Sequence, residues 1–255
     1  DHRDLHKEYR RQRQMCIRDS IDRGSITGLV GPNGAGKTTM FNLIAGLYQP
    51  TEGEIVLDGE DITDLTSHQL FHKGLLRTFQ IAHEFPTLSV LENLMMVPAN
   101  QLGEHLINTW LKRKQIQEEE KALQEKAEGV IDFLNIRHLK NERAGNLSGG
   151  QKKLLELART MMVDAKVVLL DEVGAGVNRT LLKQIGDAIL RLNSERGYTF
   201  CMIEHDMDFI SRLCNPVVVL AEGQILTIGT PDEIKSSDAV IDAYLGKGLR
   251  TEVSS

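Results

Sequence analysis

"SITGLVGPNGAGKTTMFNLIAGL", residues 25–47, decides the fold. Its first seven residues form an apolar run ending in glycine, the pattern of a buried strand, and "KTTMFNLIAGL" carries its apolar residues at helical spacing. Between them Gly31, Gly36, Lys37 and Thr38 satisfy the G-x-x-x-x-G-K-[ST] spacing of a loop that holds phosphate, in the strand-loop-helix setting that this chemistry needs. The small residues Gly34, Ala35 and Gly36, beside Asn33, let successive backbone N–H groups wrap a β-phosphate. The dipole of the following helix adds roughly 0.3–1 kcal/mol for each favourable charge. Lys37 reaches the β- and γ-phosphates, and Thr38, followed by Thr39 in the same turn, offers a hydroxyl to Mg²⁺.

Outward from this loop the chain alternates strands and helices. "GEIVLDGEDIT" (53–63) alternates apolar and polar residues and carries Asp58-Gly59, a hairpin signal. "KVVLLDE" (166–172) and "YTFCMIEHD" (198–206) read as buried strands separated by the amphipathic "TLLKQIGDAILRLNSERG", so strand, helix and strand imply a parallel sheet. "PVVVLAEGQILTIGTP" (216–231) predicts a last pair of strands turning at Glu222-Gly223, and "PDEIKSSDAVIDAYLG" a helical tail. Residues 88–146 have a helical pattern, and the charged run "LKRKQIQEEEKALQEKAEGVIDFL" within them reads as a solvated helix face.

A phosphate loop needs a carboxylate beside its Mg²⁺, and "VVLLDE" delivers two at a strand end. Asp171 would hold the ion through a water, and Glu172 would polarise a water for in-line attack on the γ-phosphorus. A second glycine-rich helix start, "LSGGQ" at 147–151, presents Ser148, Gly149, Gly150 and Gln151; Ser148 there is a good N-cap whatever else it does.

The order of phosphate loop, "FQ" (79–80), "LSGGQ", "VVLLDE" and "IEHD" (203–206) resembles that of the ATP-binding-cassette ATPases, and the resemblance covers about residues 21–246. It implies an α/β fold: a P-loop NTPase (RecA-like) core with a mainly parallel sheet, an antiparallel β portion and an α-helical subdomain inserted at about 88–150. It also implies a head-to-tail dimer in which Ser148, Gly149 and Gly150 of one copy close over ATP held by the other, since one γ-phosphate then engages two helix N-termini. By the same resemblance Gln80 touches Mg²⁺ and the attacking water while lying against a membrane-embedded partner, and His205 contacts the γ-phosphate and steadies the catalytic water. The chain departs from the family pattern at Val173, where proline is usual, and at Asn178, where aspartate is usual. The family's adenine-stacking aromatic precedes the phosphate loop; Tyr9 has about the right separation, but its flanks do not read as a strand.

The segments at 77–96 and 222–246 are similar to those of bacterial branched-chain amino acid importers, with urea importers and lipopolysaccharide exporters carrying similar tails. That likeness implies ATP and Mg²⁺ as cofactors and transmembrane permease subunits as partners. It further implies a second cassette subunit, identical or homologous, an indirect link to a periplasmic solute-binding protein, and a place on the cytoplasmic face of the inner membrane. A non-transport ATPase of the same fold would commonly carry a long coiled coil or two cassettes per chain.

Composition fits this reading. In 255 residues, 41% of them hydrophobic, there is enough apolar material for a full core, and a net charge of −6 argues against nucleic acid as a partner. Nowhere do about 18 consecutive apolar residues occur that could span a bilayer. The three cysteines, Cys16, Cys201 and Cys214, are too scattered for a disulfide framework or a metal site and read as buried thiols. Residues 1–20 are crowded with charge and lack periodicity, so they read as a disordered or foreign leader ahead of a domain at 21–246 and a tail at 247–255.

Overall fold

The computed structural model describes residues 20–78, 84–99, 101, 112–163 and 165–245. The chain divides into two compact units, one drawn from Asp1–Arg77, Lys166–Val173 and Ile189–Ser255, the other from Thr78–Ala165 and Gly174–Ala188. The helical insert read from the sequence, 88–150, falls inside the second.

The first unit is built on a mixed sheet. Its strands are β1 (Ile26–Val30), β4 (Leu75–Arg77), β5 (Val167–Asp171), β6 (Thr199–Ile203), β7 (Val217–Ala221) and β8 (Gln224–Gly229), in the order β4-β5-β6-β1-β7-β8. All neighbours pair in parallel except β7 and β8. Every residue of β1 and β6 is buried, as central parallel strands require, whereas β8 at the edge alternates exposed and half-buried positions. The two hairpins turn where the sequence places them. Asp58 and Gly59 have φ of 53° and 82°, and Glu222 and Gly223 have 52° and 78°, the left-handed pairs that match the twist of two-residue hairpins. The first hairpin, β2 (Val56–Leu57) with β3 (Glu60–Asp61), is shorter than its alternating sequence predicts.

Helix α1 (Lys37–Ile44) follows the phosphate loop, and α2 (Ser67–His72) leads into β4. The core between sheet and helices includes Leu29, Phe41, Leu70, Leu169 and Leu220, each nearly solvent-free. A fully buried side chain of this kind contributes roughly 1.5–3 kcal/mol relative to exposure. The Gly223 N–H of the β7–β8 turn donates to Ala35 O at 3.0 Å, tying the edge hairpin to the phosphate loop.

The second unit contains α3 (Val90–Met95), α4 (Arg113–Phe133), α5 (Gly149–Met161) and the first part of α6 (Arg179–Arg196), whose residues from 189 belong to the first unit. The charged run forms α4, which buries only Ala127, Val130 and Ile131. Asn93 is fully buried yet satisfied: its amide donates to the carbonyls of Phe85, Leu88 and Ser89, and its Oδ1 accepts from Phe85 N–H at 2.8 Å. That side chain fixes the turn entering α3. Helices α7 (Met207–Leu213), α8 (Pro231–Ser236) and α9 (Asp238–Leu245) complete the first unit. Among the described residues no helix is long and apolar enough to cross a membrane.

Candidate functional site

The sheet order puts β5, β6 and β1 side by side and parallel. Segments far apart in sequence therefore end on one edge: the phosphate loop after β1, Asp171 as the last residue of β5 with Glu172 next to it, and His205 two residues beyond β6.

The loop turns into α1 at Gly36, whose φ of 102° lies in the left-handed region that an L side chain rarely adopts. Asn33, Gly34 and Thr38 are exposed, and Ala35 anchors the loop in the core. Lys37 is buried, and its Nζ donates to the carbonyls of Gly31 (2.7 Å) and Pro32 (3.1 Å), folded back over the loop. Burial lowers its pKa, opposed by the fields of Glu172 and then Asp171. Both acids thus act electrostatically on the lysine of the loop.

Asp171, buried at the end of β5, accepts from Arg77 Nη2 at 2.7 Å through Oδ2. Glu172 is exposed, and its Oε1 lies 3.2 Å from His205 Nε2. Its backbone φ is 48°, a left-handed conformation that costs an ordinary residue roughly 1–2 kcal/mol. A proline after it would push residue 172 toward extended backbone, so Val173 leaves this conformation open. The neighbour of His205 starts the next helix: Asp206 caps α7, its Oδ1 accepting from the N–H groups of Asp208 and Phe209, which pins the backbone beside the histidine.

In the second unit the "LSGGQ" turn opens α5. Ser148 is its N-cap within a capping box: Gln151 N–H donates to Ser148 Oγ, and Ser148 N–H donates to Gln151 Oε1 at 2.8 Å. The two glycines differ. A Cβ on Gly150 would lie 2.2 Å from Leu181 Cδ2, whereas a Cβ on Gly149 would meet nothing within 4 Å. A side chain at 150 would therefore have to displace Leu181, whereas 149 is open to solvent, where an anion could approach the helix start. Asn178 caps α6, accepting from Leu181 N–H at 2.9 Å, a role that the usual aspartate would also fill.

Gln80 and Tyr9 lie outside the described residues, as does Cys16. Cys201 and Cys214 are buried free thiols; burial pushes Cys201 up to about 12 and raises Cys214 further, which leaves both unreactive. Among the described residues no group of three or more His, Cys, Asp or Glu could hold a metal by itself. The hydroxyl of Thr38 and the carboxylate of Asp171 are hard oxygen donors too few to cage an ion alone, which suits Mg²⁺ held jointly with substrate phosphates. Sequence reasoning missed Arg77, because an arginine in a three-residue strand looks like surface charge.

The model of the ABC transporter family matches residues 17–175, more than half of the chain. This chain belongs to the ATP-binding-cassette family. A model described as a branched-chain amino acid ATP-binding cassette transporter matches residues 224–249, the end of the cassette. The cassette is 38% identical over 230 residues to the probable branched-chain amino acid transport ATP-binding protein LivG of Archaeoglobus fulgidus, covering 89% of this chain and 86% of that protein. It is 37% identical to the high-affinity branched-chain amino acid transport ATP-binding protein BraF of Pseudomonas aeruginosa, covering 89% of each. The crystal structure of a nucleotide-free ATP-binding cassette from an ABC transporter superposes with a TM-score of 0.76 at 36% identity, covering 90% of this chain and 91% of that one. The protein is thus a nucleotide-binding transporter ATPase with the α/β cassette fold.

Proposed function

We propose that this cassette is the ATP-hydrolysing subunit of an importer for branched-chain amino acids, at the cytoplasmic face of a bacterial inner membrane. There it would drive transmembrane permease subunits fed by a periplasmic solute-binding protein. The transport roles named for its relatives and the family match at residues 224–249 support that solute class. Solute selection then rests with the membrane and periplasmic partners.

The observation that carries the chemistry is the meeting of the phosphate loop, Asp171-Glu172 and His205 at the ends of three adjacent parallel strands. Lys37 leaves the carbonyls of Gly31 and Pro32 to reach the β- and γ-phosphates of ATP, and the N–H groups from Asn33 to Thr39 surround the β-phosphate. Thr38, Asp171 and Gln80 would hold Mg²⁺, which when bound neutralises charge developing on the phosphates. Glu172 takes the proton of the attacking water, and His205, in contact with Glu172, steadies that water against the γ-phosphate. The exposed Ser148-Gly149 turn of a second copy, with Gly150 and Gln151 behind it, roofs the nucleotide. Loss of the γ-phosphate weakens this closure and opens the pair.

The shared site is tested by mixing two inactive variants. Lys37→Ala destroys the loop, and Ser148→Arg destroys the roof. Mixed together they form one intact site per heterodimer, so ATPase activity returns; mixtures that stay as inactive as the parents would overturn the head-to-tail arrangement. The transport role is tested by assembling the cassette with the membrane subunits and binding protein of the same operon. Leucine, isoleucine or valine should stimulate hydrolysis, and stimulation only by an unrelated solute would overturn the assignment.

A further inference from the structure

The cation site just proposed is built on two elements, α1 carrying Thr38 and β5 carrying Asp171, and one buried side chain bridges them. Arg77, at the end of the edge strand β4, donates through Nη2 to Asp171 Oδ2 at 2.7 Å and through Nη1 to Asn42 Oδ1. Its side chain is 7% exposed and that of Asp171 12% exposed. The guanidinium also sits 5.9 Å from the centre of the Phe41 ring, so it is held on three sides.

The spacing on α1 gives this bridge its meaning. Asn42 lies four residues after Thr38, so the two share one face of the helix, a turn apart. A planar guanidinium that grips Asn42 and Asp171 together therefore fixes the distance and orientation between the Thr38 face and the carboxylate. Oδ2 accepts from Arg77, and Asp171 keeps further lone pairs, those of Oδ1 among them, for an ion or its bound water. A lysine, with a single nitrogen in place of the planar fork, would not hold the two groups in one fixed orientation. The bridge also gives the buried Asp171 carboxylate a hydrogen-bonded counter-charge, beyond the field of Lys37, when no cation is present.

We propose that Arg77 is a positioning residue for Mg²⁺: through Asn42 and Asp171 it holds the two halves of the cation site in register before the ion arrives. The inference rests on the ATPase reading above and adds to it a role that the phosphate loop and the strand carboxylates do not carry. Arg77 touches neither nucleotide nor reacting atoms. Its effect should therefore appear in the dependence of ATP binding on the cation and not in ATP binding as such.

The experiment compares the Kd of a fluorescent, non-hydrolysable ATP analogue in EDTA with its Kd in Mg²⁺, for wild type, Arg77→Met and Asn42→Ala. In wild type, Mg²⁺ tightens binding. Arg77→Met should keep its EDTA Kd within about twofold and lose roughly tenfold of the Mg²⁺ enhancement, the usual scale for removing a group that orients a metal ligand. Asn42→Ala, which keeps the ion pair and drops one arm of the bridge, should lose a smaller part of the enhancement; it decides the matter if Arg77→Met fails to fold. An unchanged enhancement in both folded variants would overturn the proposal. So would an equal loss of affinity in EDTA and in Mg²⁺, which would reduce Arg77 to packing beneath the loop. Wild type that binds the analogue in neither buffer would overturn the ATPase reading itself, a result distinct from either of these.

Discussion

Glu172 Oε1 and His205 Nε2 stand 3.2 Å apart although 33 positions separate them in sequence, because β5 and β6 are parallel neighbours with Asp171 opposite Ile203. The contact joins the proposed base to the proposed water-steadying group without help from nucleotide. Glu172→Gln keeps the size of the side chain and removes its basicity. Hydrolysis should fall by roughly 100- to 10,000-fold, the range of a general base, while ATP binding survives and the ATP-bound dimer accumulates. Phosphate release and size-exclusion chromatography in ATP measure the two effects. Wild-type turnover by a variant that stays monomeric in ATP would defeat the role assigned to Glu172.

The glycines of the signature turn should separate stability from activity. Gly150→Val drives a side chain into Leu181 and Val177 and should cost about 1–3 kcal/mol, each kcal/mol lowering the melting temperature by about 2–4 °C. Gly149→Ala meets no atom and improves helix propensity, so the melting temperature should hold or rise slightly. Its ATPase activity should nevertheless fall, by up to about 100-fold, since the methyl displaces a phosphate from the helix start. A fully active Gly149→Ala variant would remove the turn from the site.

Asn178 explains one departure from the family pattern through its cap on α6. Asn178→Ala should cost about 1 kcal/mol in urea unfolding. Asn178→Asp keeps the acceptor and adds a charge favoured at a helix N-terminus by roughly 0.3–1 kcal/mol, so it should be neutral or stabilising. Equal destabilisation by both substitutions would show that the amide, and not the cap, is what matters.

Glu156 on α5 gives a pH signature. Burial pushes its carboxyl above the ordinary value of 4.5, the Glu84 charge adds to this, and Lys153 and Arg159 oppose it. The folded state then holds this proton more tightly than the unfolded state. Between 4.5 and the raised folded value the native state carries the extra proton, so its stability falls as pH rises through that window. Glu156→Gln has no such proton, and its melting temperature minus that of wild type should increase from pH 4 to pH 8. A difference that is flat or shrinks with pH would contradict the burial effect.

Much of this was legible in the sequence because the signals were local. The spacing from Gly31 to Thr38, the Asp58-Gly59 and Glu222-Gly223 turns, and the apolar runs ending at Asp171 and Ile203 each carry their meaning within a few residues. The strand Leu75–Arg77 was not legible, since three buried residues show no alternation and leave the burial of Arg77 unannounced. The capping box of Thr66 and Gln69 on α2 had a readable signature, but the helix it starts has only 6 residues. What no local pattern encodes is the left-handed backbone of Glu172, the close approach of Leu181 to Gly150 and the bridge from Arg77 to Asp171, because each depends on segments brought together from tens of residues away.

The meeting of three strand ends also makes nucleotide a fastener of the sheet. At the proposed site ATP would join the phosphate loop to the β5 and β6 ends only when these are already aligned, so it would bind the folded chain and have nothing to grip in the unfolded one. By mass action, ligand at one hundred times its Kd deepens the native well by about 2.7 kcal/mol. Nucleotide in excess of its Kd would thus keep the folded cassette from proteases that act on the unfolded chain.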